Sequence, residues 1–383
     1  MPKCCGAAIR CCTAAIILID SAWCQDKLWP VFVERWCECD RLRSLAAMGA
    51  LDLEEVPQPS YQEILDALPV TRYRRDVLHR VKFGPSNAFR LPKLLASADW
   101  FLAACPASLQ NECPVELGDL RDRYNLEDPG VVFMHASRWN QLGVACERYL
   151  SSHRPGRVLI VGGSDLKLSL HKAQVAFFKQ FFDVILFEAK DCHVGGVGTM
   201  PMGLTEHYLR GGVAETARHA IAMACLEASP SCKSRELLVP NISSRWSEFN
   251  VPKDRHVAAR WAASIHGRRV TAGRRSIPPT EWWPELATYR FLLSPQGNGV
   301  QSSKTIEALL VLTIPIVTAS PAHRDLLRYG FPIVMVNSWH EVTPDNLQRW
   351  WKEMSPRLPS FRQNCLSTRG FWRIATSQLA YCE

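Results

Sequence analysis

Residues 294–317, SPQGNGVQSSKTIEALLVLTIPIV, place a lysine and a glutamate three residues apart at the head of an otherwise apolar run. A strand closing at Ser294 meets Pro295 and the triplet Gly297-Asn298-Gly299, which force a tight turn. Gly297 and Gly299 allow positive φ and let a ligand approach the backbone. Ser302 or Ser303 can cap the helix that follows, whose first N–H groups and positive dipole end make a place for a phosphate. Lys304, in the first turn, adds a full positive charge aimed the same way. Glu307 lies one turn on along the same face, and a carboxylate accepts well from paired sugar hydroxyls. A diphosphate beside a ribose, as in a sugar nucleotide, has both needs. The same residues also describe a capped helix with an i,i+3 Lys–Glu pair worth ~0.2–0.5 kcal/mol. Local chemistry leaves both readings standing.

The elements that would hold these residues follow from periodicity. From about residue 130, short β-rich runs alternate with helical ones: GVVFMHA (130–136), RVLIVGG (157–163), DVILFEA (183–189) and VGTMPMG (197–203) read as strands. Helical patterns cover 140–153 and 170–182, and a third covers 205–228 with a break near Gly211. A second series starts after 229–234, with strands expected at RELLVPN, RRVTA, YRFLLSP, IPIVTA and PIVMVN. Helices are expected at KDRHVAARWAASIH, SKTIEALLVL, AHRDLLRYG and TPDNLQRWWKEM. This βαβ alternation predicts an α/β protein with two Rossmann-like domains, each a parallel sheet with helices on both faces. In such sheets ligands sit beyond the carboxyl ends of the strands.

FLLSPQGNGVQSSKTIEALLVLTIPIV resembles the signature of exostosin-like glycosyltransferases, family 47 with its algal, plant and viral relatives. There a strand ends in a Ser-Pro-x-Gly turn, a helix carries Arg or Lys and then Glu-Ala-Leu, and a strand reads Ile/Val-Pro-Ile/Val. PIVMVNSWHEVTPDNL (332–347) is similar to the continuation, and RVLIVGGSDLKL and VGTMPMGL more loosely to the first-domain strands. Many relatives have Asp-x-x-Arg or His-Arg before the helix and Trp before the Glu; this chain has Gln301, Ser303, Lys304 and Ile306. Lys304 keeps the charge without the bidentate fork of arginine. The resemblance implies a GT-B fold, a nucleotide-sugar donor in the second domain and a glycan or glycoconjugate acceptor in the first. It assigns donor contacts to Gly297, Asn298, Gly299, Ser303, Lys304 and Glu307. Such folds often place a diphosphate-binding basic residue after the first strand of the second domain, which points to Arg245. His135 and Asp165, each just past a first-domain strand, are the candidate bases for an acceptor hydroxyl. Each of these three also fits an ordinary structural polar residue. A fucosyltransferase-like enzyme on the same fold and a catalytically silent glycan- or nucleotide-binding relative are the alternatives.

No Asp-x-Asp triplet occurs in the chain, and the cysteines lack the paired spacing of a zinc site, so no metal and no cofactor beyond the donor is expected. The net charge of +8 is spread along 383 residues, which suits an anionic sugar nucleotide and gives no basic stripe for nucleic acid. Fifteen cysteines leave disulfides and buried thiols both open, with Cys146 and Cys225 read as buried. CCTAAIILI (11–19), preceded by Lys3 and Arg10, is long enough for a signal-peptide core and short for a membrane span. It reads equally as a buried strand or helix. With the resemblance it implies the secretory pathway, a Golgi enzyme with membrane association through the N-terminus; a cytoplasmic location is the alternative. The expected organisation is a signal peptide or anchor over 1–24 and a helical region over 25–105. An acceptor-side domain over 106–230 and a nucleotide-sugar domain over 231–356 follow, and a helical segment over 357–383 crosses back to the first domain.

Overall fold

The β-rich runs read from the sequence are, with one exception, strands of two sheets in which every pairing is parallel. The computed structural model describes residues 70–72, 98–102, 129–150, 154–163, 165–205, 233–240, 253–271, 274–297, 299–376 and 381–382, with scattered helical positions between 213 and 224. The chain divides into two units, Met1–Pro59 and Ser60–Glu383, and all described residues belong to the second. The expectations for 1–24, for most of 25–105, and for Cys225, Arg245 and Asn298 lie outside the described residues.

The first sheet runs β2 (Trp100–Leu102), β3 (Val131–His135), β4 (Arg154–Gly162), β5 (Phe182–Phe187) and β6 (Val197–Gly198), each beside its neighbour in sequence. Helices α1 (Trp139–Tyr149) and α2 (Lys172–Phe178) bring Leu142, Cys146, Val175 and Phe178 onto Val132, Met134, Leu159, Val161 and Ile185. The alternate residues Phe133, Val158, Ile160 and Leu186 are buried as well. Burial on both faces is why these strands read as unbroken apolar runs instead of alternating ones. The Cys146 thiol, as expected, is buried, and desolvation pushes its pKa up to about 12, which leaves it inert.

The second sheet has the order β12 (Val334–Val336), β11 (Ile314–Thr318), β10 (Tyr289–Leu293), β8 (Arg235–Pro240), β9 (Arg274–Arg275). Chain order reverses between β8 and β10, so this sheet has a topological switch point, and crevices for ligands form at the carboxyl ends of such strand pairs. After β8 come helices α3 (Lys253–Ala263) and α4 (Ile265–Val270), and after β9 comes α5 (Pro279–Ala287). After β10 comes α6 (Ser303–Leu310), and after β11 comes α7 (Pro321–Arg328). At the opposite, amino edge, the buried Lys233 donates to Ala287 O at 2.6 Å, Val311 O at 2.5 Å and Thr313 Oγ1 at 3.1 Å. An ammonium there meets the negative ends of α5 and α6.

Three expectations are corrected. Within the region read as helical, Val70–Arg72 is a strand (β1) pairing with β7 (Leu204–Thr205), and Trp100–Leu102 is a strand of the first sheet. Helical spacing there was overridden by backbone pairing with distant segments. RRVTA (268–272) is not a strand: Ser264 caps α4 by accepting from Gly267 N at 3.2 Å, the helix runs to Val270, and the strand falls at Arg274–Arg275. The end of the chain is helical as expected, in α8 (Pro344–Met354), α9 (Leu358–Cys365) and α10 (Thr368–Ala375). Its described contacts, however, are with the second domain and not across to the first. Phe361 and Phe371 lie against Phe331, Arg362 Nη1 donates to Leu310 O at 3.4 Å, and Cys382 N donates to Tyr329 O at 2.8 Å. A disulfide joins Cys365 to Cys382. Aromatic side chains beside β12 offer the anchoring surface that the sequence assigned to the other domain. Among the described residues, no helix is long and apolar enough to cross a membrane.

His323, in the first turn of α7, is buried, with Nδ1 at 2.7 Å from Thr318 O at the end of β11. Burial pulls its pKa from 6.5 down to about 4, against the opposing effect of that hydrogen bond. Between those values the unfolded chain binds the extra proton. Stability is therefore complete above about pH 6.5 and falls by about 3 kcal/mol as pH drops toward 4. His323→Asn, which can still donate to the carbonyl, should flatten that slope in urea melts between pH 7 and pH 4.5. Equal slopes in the two proteins would clear the histidine.

Candidate functional site

At the switch point, α3 and α6 begin side by side beyond the carboxyl ends of β8 and β10. Ser302 caps α6 by accepting from Lys304 N at 3.4 Å, and the first turn of α6 holds no acidic residue. In the first turn of α3, Asp254 is fully engaged. Its Oδ2 accepts from Gln296 N and from Thr318 Oγ1, each at 2.9 Å, and its Oδ1 accepts from the Trp339 indole at 3.0 Å. One carboxylate thus fixes the turn after β10, the end of β11 and the segment after β12.

Beside it, Arg255 Nε donates to Gln296 O at 3.0 Å. Gly297 lies close to the guanidinium: a Cβ at this position would lie 2.9 Å from Arg255 Nη2. Its φ is not positive, so the expectation of a left-handed turn residue is corrected at that glycine. Desolvation lowers the pKa of Arg255, with the charges of Asp165 and Asp254 acting the other way. Lys304 is partly exposed as a residue, but its ammonium sits 3.6 Å over the Trp282 ring. Desolvation lowers its pKa, Glu307 raises it and the charge of Arg255 lowers it again. Two cations therefore repel each other at two helix N-termini, partly offset by Asp165 and Asp254 at Arg255 and by Glu307 at Lys304.

Glu307 is buried, 1% exposed, and does not form the surface pair that sequence alone allowed. The Trp282 indole donates to its Oε2 at 2.6 Å, while Oε1 is buried with no hydrogen-bond partner. The indole thus carries a cation on its face and an anion at its N–H, the two positions its charge distribution favours. Ser303 is buried at the helix start.

The structure brings Lys304, Glu307, Ser303 and Gly297 of the predicted set together, with Gly299 in the same turn. Asp165, on the exposed loop after β4, lies within electrostatic reach of Arg255, so the two sheets present their carboxyl edges to one another. His135 ends β3 opposite Gly162 of β4; it is buried, with Nδ1 2.8 Å from Ser137 Oγ. Sequence reasoning missed Arg255, Asp254 and Trp282. A basic residue after the first strand of the second domain was expected, and Arg255 answers that description ten positions beyond Arg245. Among the described residues, no group of three or more His, Cys, Asp or Glu side chains could hold a metal ion.

No family model matches the chain, and no curated protein does. Among solved structures, an α1,3-fucosyltransferase with GDP aligns at 15% identity and TM-score 0.32, covering 72% of this chain and 89% of that one. Anabaena Alr3699/HepE in complex with UDP-glucose aligns at 10% identity and TM-score 0.28, covering 73% and 87%. AviGT4, a glycosyltransferase involved in avilamycin A biosynthesis, aligns at 13% identity and TM-score 0.27, covering 66% and 70%. With TM-scores under 0.5, these likenesses carry no argument about this chain.

Replacing Trp282 by Phe keeps a ring beneath Lys304 but leaves both oxygens of a buried carboxylate unsatisfied. Trp282→Phe should cost about 1.5–3 kcal/mol of unfolding free energy in urea titrations. A loss under half a kcal/mol would mean that the indole N–H is not what holds Glu307.

Proposed function

We propose that this chain is a glycosyltransferase, exostosin-like in its donor motif. It takes the diphosphate of a nucleotide sugar at the switch point of the second sheet and a glycan or glycoconjugate acceptor at the loops of the first. The observation that supports this most is the convergence of two helix starts, Arg255 and Lys304 beyond the carboxyl ends of β8 and β10, where burial lowers the proton affinity of both side chains. An anion with two phosphates satisfies all four.

In the reaction, the acceptor oxygen attacks the anomeric carbon as the bond from that carbon to the diphosphate oxygen breaks. The electron pair leaves with the nucleoside diphosphate, whose charge Arg255 and Lys304 stabilise. The proton of the acceptor hydroxyl passes to a base on the first sheet. Asp165 is the better candidate, because it is exposed on the β4 loop and faces Arg255, whereas His135 is buried and engaged by Ser137. Glu307 holds Trp282 in place under Lys304, and its burial takes it away from the ribose hydroxyls that the sequence reading assigned to it.

Titration of GDP and UDP by calorimetry tests the reading. Arg255→Gln and Lys304→Gln should each weaken whichever nucleotide binds by about tenfold or more, with a steeper salt dependence in the wild type. Release of nucleoside diphosphate from the matching nucleotide sugar separates a transferase from a binding protein. Unchanged affinity in both variants would sink the donor-site assignment.

A further inference from the structure

Gln301 stands where the glycine turn becomes helix, immediately before the Ser302 cap, and its side chain points away from the second domain. Its Nε2 donates to Glu188 O at 2.6 Å and to Met200 O at 2.9 Å, and its Oε1 accepts from Met202 N at 3.0 Å. Both amide hydrogens and the carbonyl are used, and the residue is 6% exposed. All three partners belong to the first domain. Glu188 follows β5, where its carboxylate accepts from Gly163 N at 2.7 Å, and Met200 and Met202 lie in the buried strip between β6 and β7.

We infer that Gln301 is a positioning residue through which the first domain sets the geometry of the anion site, a role that rests on the donor-site reading above. The turn 296–301 is fixed at one end by Asp254 and Arg255 on Gln296 and at the other by Gln301. Without the amide, the start of α6, which carries Lys304, loses these hydrogen bonds to the first domain and keeps only the packing of the helix on β7 there. The amide cannot be flipped, because its oxygen would then face two carbonyls. A separate contact ties the domains without touching the turn: Asp325 of α7 accepts from Lys190 Nζ at 2.6 Å and from Thr199 Oγ1 at 2.7 Å. Nearby, Tyr329 Oη accepts from Thr199 N at 3.2 Å. The donor turn can thus lose its link to the first domain while the domains stay joined.

The test compares Gln301→Met, close in length and unable to make the three bonds, with Tyr329→Phe, which loosens the same interface away from the turn. Binding of inorganic pyrophosphate, GDP and UDP is measured by calorimetry, alongside thermal midpoints. Gln301→Met should bind at least tenfold more weakly than wild type, while Tyr329→Phe binds as wild type does, even though both melt lower. Should Gln301→Met fail to fold, Gln301→Glu, which keeps the acceptor for Met202 N and loses both donors, gives the same comparison. Wild-type affinity in the Gln301 variant, or an equal loss in both variants, overturns the positioning role and leaves the donor site standing. Failure of the wild type to bind any of the three probes overturns the donor site itself.

Discussion

The carboxylate of Asp254 is the constraint on which the carboxyl edge of the second sheet depends. Three strands end there, and an open sheet leaves the segments that follow them to solvent unless something binds them. Asp254 takes a backbone N–H, a hydroxyl and an indole N–H from three of them at once. Charge-assisted bonds of this kind are the strong ones. Asp254 is also the acid in the first turn of α3, and its charge raises the proton affinity of Arg255 beside it.

Polarity along the second sheet has two differently treated ends. At the amino edge, where α5 and α6 finish, the protein supplies its own cation in Lys233 and buries it among carbonyls. At the carboxyl edge, where α3 and α6 start, it adds Arg255 and Lys304 to ends that are already positive. The first turn of α3 carries the acid that stability favours, Asp254, whereas the first turn of α6 carries none. The imbalance is of the kind that functional sites retain at the expense of local stability.

Much of the frame was legible in sequence because its causes are local. Unbroken apolar runs marked strands covered on both faces, and the SPQGNG turn followed by Lys304 and Glu307 marked a helix start beside a ligand crevice. The rest depended on partners far along the chain. Trp282, 25 residues before Glu307, turns an exposed-looking pair into a buried stack, and no helical spacing announces it. Arg255 reaches a carbonyl 41 residues away. Gln301, which departs by type from the exostosin-like signature that the sequence resembles, is explained by atoms 99 to 113 residues distant. The strand at Val70 carried helical spacing and the one at Trp100 fitted helix or strand alike; both were decided by pairing, with Leu204 and Val132. Tertiary pairing outweighs a weak local preference.

The first sheet lays its strands down in strict chain order, β2 to β6, and never reverses direction. A sheet without a reversal opens no crevice of its own at its carboxyl edge. Whatever that half of the molecule recognises must be gripped by the loops that leave the strands, and loops accept insertion and exchange far more readily than a sheet accepts a new strand order. One half is therefore bound to its ligand class by topology and the other only by surface chemistry. A lineage could change what the first half presents by editing a few loops, while the second half keeps its strand order.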